Sequence, residues 1–250
     1  MGDESLNRAF LAFAVIGLIA ISALTVSGVD ISSNTNANTN ASVNAAASVQ
    51  SSDIIKLPEP RTEGNFSLEK ALKERRSIRE FGNESLTLDQ VSQLLWAAQG
   101  ITDDKGHRTA PSGMEAYPLE VYLVTGNISG LQAGVYHFVP KGQYLEPLMQ
   151  GDLRAEFVDQ AVGQGFVKTA PSIFVITAVP ERMIRIAGPG SVKFVYIEAG
   201  LAAENFMLEA VSLGLGSTYV GGFDANKTEQ FLGLASDEEP MAVLPVGRKA

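Results

Sequence analysis

The stretch Leu119-Glu120-Val121-Tyr122-Leu123-Val124-Thr125 is followed, after a glycine-bearing turn, by Gly134-Val135-Tyr136-His137-Phe138-Val139. Both runs are rich in β-branched and aromatic residues, and the short connection between them reads as an antiparallel hairpin. Working outward, Ser172 to Val179 is a continuous apolar run, the pattern of a strand buried on both faces. Ser217 to Gly222 and Met241 to Gly247 are the last two strand-like segments. Helical patterns lie between them. Ser67 reads as the N-cap of a helix running to about Arg76. Thr87-Leu88-Asp89-Gln90 reads as a capping box, with Leu88, Val91, Leu94, Leu95 and Ala98 making an apolar face that ends at Gly100. Trp96 on that helix reads as packing. Asp152 to Gly163 reads as a further helix. Val192 to Leu213 is a long helix, whose Ala199, Gly200, Ala202 and Ala203 suit close packing, including across a subunit interface. Helices and strands mix without regular βαβ alternation, so the expected class is α+β.

The chain has 250 residues, a formal net charge of -9 and no cysteine. The acidic balance and the absence of an extended basic surface exclude nucleic acid as the main partner. Disulfides are ruled out, and with only two histidines no metal-binding pattern is read. Residues 1–29 contain the uncharged run Phe10 to Val26, which reads as a membrane anchor or a signal peptide. Residues 30–55 are dominated by Asn, Ser, Thr and Ala without an apolar period, and read as a flexible tether. Acceptor tripeptides for N-glycosylation begin at Asn40, Asn65, Asn83, Asn127 and Asn226. With the terminal apolar run, they lead to the expectation of a membrane-anchored or exported protein whose domain lies outside the cytoplasm. Residues 56–250 then form one domain with a sizeable core.

Within that domain Arg75-Arg76-Ser77-Ile78-Arg79 crowds three guanidinium groups into five positions. Such groups repel one another unless an anion lies between them, and their planar forks suit phosphate. A solvated basic helix end is the simpler local reading. Three further motifs change the balance. Arg108-Thr109-Ala110-Pro111-Ser112-Gly113-Met114-Glu115 leads into a strand through a turn open to close ligand approach. Thr218-Tyr219-Val220-Gly221-Gly222-Phe223 ends a strand in paired glycines, where a flat ring could lie against the backbone. Leu244-Pro245-Val246-Gly247-Arg248-Lys249 supplies a basic pair after the last strand.

The order of these motifs, with Tyr-Pro-Leu-Glu-Val-Tyr from Tyr117, Glu-Ala-Gly-x-x-Ala-x-Asn from Glu198 and Gly-Leu-Gly from Gly214, resembles the FMN-dependent nitroreductase superfamily. It is most similar to the branch holding the SagB-type azoline dehydrogenases, over about Ser67 to Arg248. The resemblance implies a nitroreductase-like fold, with a central, mostly antiparallel sheet flanked by helices, in an intertwined homodimer with FMN at the interface. Hydride would pass through flavin N5 to or from a small organic substrate, with NAD(P)H as a candidate donor. Carried over by motif, Arg75, Ser77 and Arg79 would hold the phosphate and the ring edge, with Arg76 in the same motif and Arg248 completing the phosphate site. Pro111, Ser112 and Gly113 would reach the ring or ribityl chain of the second subunit's flavin. Glu115 falls where simpler relatives carry an Asn near the pyrimidine edge. Val220, Gly221 and Gly222 would pack on the central ring.

One departure bears on chemistry. Where the azoline dehydrogenases carry a Lys-Tyr pair, this chain has Ile186-Ala187, and neither can transfer a proton. Azoline oxidation is therefore not expected. The departure also keeps open a second reading, a non-catalytic flavin- or ligand-binding module on a membrane-tethered scaffold. His107 reads as a loop surface residue and His137 as structural, so catalysis would rest on the flavin.

Overall fold

The structure, a computed structural model, describes residues 54–250. The apolar run and almost all of the tether lie outside the described residues. Among those described, no helix is long and apolar enough to cross a membrane. The elements in order are β1 (Ile55–Lys56), α1 (Leu68–Glu74), β2 (Leu86–Thr87), α2 (Leu88–Gln99), β3 (Leu119–Thr125), β4 (Ile128–Ser129), β5 (Gly134–Val139) and β6 (Tyr144–Gln150). There follow α3 (Arg154–Phe157), β7 (Ser172–Ala178), α4 (Pro180–Ala187), α5 (Val192–Ser212), β8 (Gly216–Ser217), α6 (Ala225–Leu232) and β9 (Glu239–Gly247).

Seven strands form one sheet in the order β1-β6-β5-β3-β7-β9-β8, every neighbouring pair antiparallel. β2 and β4 make a separate parallel pair. The expected α+β class and the β3–β5 pairing are both present. β7 lies in the interior of the sheet between β3 and β9, and all of its residues are buried. The period of two divides its side chains between two cores. Phe174 and Ile176 face α2 and α5 with Leu123, Leu95, Phe206 and Leu244. Ile173 and Val175 face the other side with Val124, Phe157, Val162, Leu232 and Val243. Burying a large aliphatic or aromatic side chain contributes about 1.5–3 kcal/mol, so both faces of this strand stabilise the domain.

Local signals explain the helix ends. Ser67 Oγ accepts the Lys70 N–H at 3.2 Å and starts α1. Thr87 Oγ1 accepts the Gln90 N–H and Gln90 Oε1 accepts the Thr87 N–H, the expected capping box. The helix pattern from Val192 is present as α5.

The helix expected over Asp152 to Gly163 is present from Arg154 to Val162, but α3 is a single turn that widens into a π-helical turn over Val158–Val162 and stops at Gly163, φ 69°. One expectation needs correction. Ser217 to Gly222 is not one strand. Only Gly216–Ser217 ladders with β9, and Val220 pairs again with Val243. In that register Thr218 stands opposite Pro245, which has no N–H to donate, so the ladder breaks between them. The elements β1, β2, β4, β6, α4 and α6 carried no expectation of their own.

Candidate functional site

The basic motif leaves α1 and becomes a ledge along the β8 edge of the sheet. The Ile78 N–H donates to Ser217 O at 3.0 Å, and the Gly82 N–H donates to Arg248 O at 2.9 Å. Ser77 bridges Ser217, and Phe81 bridges Lys249. Residues from the two ends of the domain are thereby laid side by side. Two glycines allow the close approach. A Cβ on Gly216 would stand 2.8 Å from three Ile78 atoms, and one on Gly247 would stand 2.6 Å from Pro171 Cδ. Buried Phe81 anchors the ledge from below.

The side chains on this ledge are unusually free. Ser77, Arg76, Arg79 and Arg248 are exposed. Among the described residues Arg76, Arg79 and Arg248 form no ion pair. Arg79 lies over the Phe166 ring at 5.9 Å, and Arg76 Nη1 donates only to backbone carbonyls of its own turn. Arg75 is partly held by Glu204, Nε to Oε1 3.3 Å. Beside the ledge, the buried hydroxyls of Ser217 and Thr218 have no hydrogen-bond partner. A buried hydroxyl without a partner is costly, and it marks a place where a ligand can supply one. Val220 is buried, whereas Gly221 and Gly222 after it are exposed. Gln164 Nε2 fixes Gly222 O at 2.9 Å.

The Pro111–Glu115 segment is a different kind of structure. Met114, Glu115 and Tyr117 have φ values of 53°, 54° and 43°, all left-handed and none glycine. Each such residue costs on the order of 1–3 kcal/mol and persists only where its surroundings over-determine it. The holders are visible. Glu198 Oε1 on α5 accepts the Gly113 N–H at 2.7 Å. Ser112 Oγ accepts the Tyr117 N–H at 2.9 Å, and Arg182 Nη1 on α4 donates to Tyr117 O at 3.0 Å. Asn205 on α5 donates to Thr109 O, and the Arg108 guanidinium lies over the Tyr117 ring at 5.2 Å.

Charged groups brace the same region. Arg182 Nη2 also pairs with Glu120 at 2.6 Å, and Glu120 Oε2 lies 3.0 Å from His137 Nε2. Burial is the largest single influence on His137 and opposes its charge, but Glu120 and Glu146 together outweigh it and hold its pKa above the ordinary histidine value. Glu120 is likewise opposed by burial, yet His137 and Arg182 keep its carboxyl below the usual range. His107 is more than a loop surface residue: it bridges Asp103, at 2.6 Å, and Glu115, at 3.6 Å.

The ledge and the turn lie at opposite ends of the sheet. Leu119 pairs with Ala178, which pairs with Glu239, at the turn's end. Thr125 pairs with Ser172, which pairs with Val246, at the Arg248 end. The strand between them spans about 20 Å. The structure therefore joins Ser77, Arg79 and Arg248 along one edge, continues that edge through Val220 to Gly222, and sets Pro111 to Glu115 apart. Glu198, Arg182, Ser217 and Thr218 were not singled out from the sequence as site residues. Of the three glutamates of α5, Glu198 alone falls on the buried face, with Val195, Ala199 and Ala202, and that helical spacing was the signal available for it.

Comparison with known proteins decides the family. The nitroreductase family matches residues 72–248. The chain belongs to the nitroreductase family. A Methanocaldococcus jannaschii protein assigned as a nitroreductase is 36% identical over 79% of this chain and 98% of its own length. The crystal structure of a Ralstonia eutropha protein assigned likewise is 35% identical, with a TM-score of 0.70, covering 81% of this chain and 92% of that one. A trifolitoxin-processing protein of Rhizobium leguminosarum is 29% identical over 54% of this chain, which spans 41% of that relative. The expected nitroreductase-like fold is thus observed, and the protein is an oxidoreductase.

Proposed function

We propose that the protein is an FMN-dependent oxidoreductase whose flavin site is completed by a second copy of the chain. The observation that carries this reading is the ledge: three guanidinium groups without ion-pair partners and an exposed serine beside two buried, unpartnered hydroxyls. Those residues fit a phosphorylated, hydroxyl-rich cofactor. Arg75, Ser77, Arg79 and Arg248 would hold the phosphate end, with Arg76 adding positive charge beside them. Ser217 and Thr218 offer hydroxyl partners, and Val220, Gly221 and Gly222 offer a bare backbone surface for the ring. FMN, when bound, supplies hydride transfer, with NAD(P)H as donor and a small organic molecule as acceptor. The chain's own part is binding, orientation and access.

The placement of the motifs and an exposed apolar surface support homodimerisation. The resemblance assigns Pro111, Ser112, Gly113 and Glu115 to the flavin of the second copy, and their place at the opposite end of the sheet from Arg248 supports that assignment. Phe194, Ile197 and Leu201 form an exposed apolar stripe on α5, and Leu68 and Leu72 are exposed on α1. A stripe of that kind suits an interface. At the position of the azoline dehydrogenases' Lys-Tyr pair, Ile186 is exposed on α4 and brings no proton donor, so the proposed reaction is not azoline oxidation. The uncharged terminal run and the acceptor tripeptides support a location outside the cytoplasm; membrane fractionation of the native protein tests it.

The purified full chain should be yellow or take up FMN, and with NAD(P)H it should reduce a nitroaromatic or a quinone faster than free FMN does. A colourless protein that takes up no FMN removes the reading. Uptake without turnover against a broad acceptor panel would favour the non-catalytic binding module.

A further inference from the structure

The turn before β3 needs an anchor that its own residues do not provide. Ser112 Oγ and Arg182 fix its C-terminal limb at Tyr117. The N-terminal limb is tied to α5 through the Gly113 N–H, which donates to Glu198 Oε1 at 2.7 Å. Between these two ties lie Met114 and Glu115, both left-handed, with Met114 69% exposed and so without packing of its own. Glu198 is itself only 5% exposed. Its second oxygen, Oε2, is buried without a hydrogen-bond partner, and no cation pairs with it among the described residues. With Oε2 unpartnered, the Gly113 N–H is the hydrogen bond through which Glu198 grips the turn.

We propose that Glu198 is a positioning residue: it sets the shape of the Ser112–Tyr117 turn by accepting the Gly113 N–H. Burial pushes its carboxyl above the ordinary range, against the Gly113 N–H and the Ser112 hydroxyl, which favour the charged form. Resting on the flavin reading above, the turn then presents its Gly113 to Glu115 crest to the cofactor in one fixed form, and loss of the anchor loosens the turn and the flavin together. A glutamine retains the accepting oxygen and the volume. A leucine retains the volume alone.

The test compares full-length wild type, Glu198→Gln and Glu198→Leu by amide hydrogen exchange across residues 112–117 and by FMN titration. Loss of one buried hydrogen bond should speed exchange at Gly113 about tenfold in Glu198→Leu and weaken FMN binding by about the same factor. Glu198→Gln should stay within about twofold of wild type in both measurements. Wild-type exchange in Glu198→Leu overturns the proposal. So does a Glu198→Gln that exchanges as fast as the leucine variant or, where the leucine variant does not fold, about tenfold faster than wild type. If the wild type takes up no FMN, the flavin reading falls, and the exchange comparison still decides the role of Glu198.

Discussion

The ledge and the turn differ in what holds them, and the difference predicts how each responds to change. The ledge from Ser77 to Gly82 is held by main-chain bonds to Ser217 and Arg248 and by the small volume of Gly216 and Gly247. Its arginines and its serine point into solvent and contribute little to its shape. The turn from Ser112 to Tyr117 is the reverse. Its backbone is unfavourable at three positions, and side chains distant in sequence, Glu198 and Arg182, keep it in place. One region presents free side chains on a self-supporting backbone, and the other presents a strained backbone on borrowed side chains. Substitutions in the first should alter binding without altering the fold. Substitutions in the second should alter shape first.

The sharpest way to break this contrast is Arg248→Ala. One charge-assisted phosphate contact contributes on the order of 1.5–3 kcal/mol, so FMN affinity should fall roughly ten- to a hundredfold. Urea denaturation of the flavin-free protein should shift by less than about 0.5 kcal/mol, because the Gly82 bond uses only the Arg248 carbonyl. A large loss of stability would mean that the side chain, not the backbone, supports the ledge.

The turn should show the opposite signature. Met114 is exposed, so its replacement isolates backbone strain from packing. Met114→Val places a β-branched residue at φ 53° and should cost about 1–2 kcal/mol in thermal or urea unfolding. Met114→Gly should be neutral or stabilising by up to about 1 kcal/mol. Equal stability of the two variants would show that the turn is not strained.

A smaller effect concerns pH. Glu120 and Glu146 outweigh burial and make His137 charge more readily in the folded protein than an ordinary histidine does. Its contribution is therefore complete below the ordinary histidine value and is lost as the pH rises through the higher folded pKa. Since Glu120 connects His137 to Arg182, and Arg182 grips Tyr117, the loss should fall on the turn. Wild type should exceed His137→Gln by about 1 kcal/mol near pH 6, and the gap should close toward pH 9. Amide exchange at residues 112–117 should quicken over the same interval, while exchange at Ile78 and Gly82 should not. A gap independent of pH would remove the charge from the account.

Much of this architecture was legible in the residues. The caps at Ser67 and Thr87 predict their helices because each side chain meets a local backbone N–H. The strands β3, β5 and β7 are carried by composition alone. The break at Thr218 was not legible, because it depends on Pro245 lying opposite in a register that only the folded sheet sets. Arg79 and Arg248 could be named as candidate site residues because the order of separated motifs resembles a family, whereas local charge clustering alone favours a solvated helix end. That the ledge and the turn lie at opposite ends of the sheet could be seen only once the strand pairing was set. Left-handed Met114, Glu115 and Tyr117 carry no local signal, since nothing in their side chains favours positive φ; Glu198 and Arg182 impose it from α5 and α4.

The central claim is that the ledge of one subunit and the turn of the other share a flavin. The most direct measurement is complementation between Arg248→Ala, which disables the ledge, and Gly113→Asp, which adds bulk and negative charge at the turn. Each variant alone should lose FMN while remaining a folded dimer. Refolded together, they should recover flavin absorbance at one site in each mixed dimer, because one interface then keeps both intact halves. Mixed dimers that stay colourless, although the wild type binds FMN, would contradict the shared site.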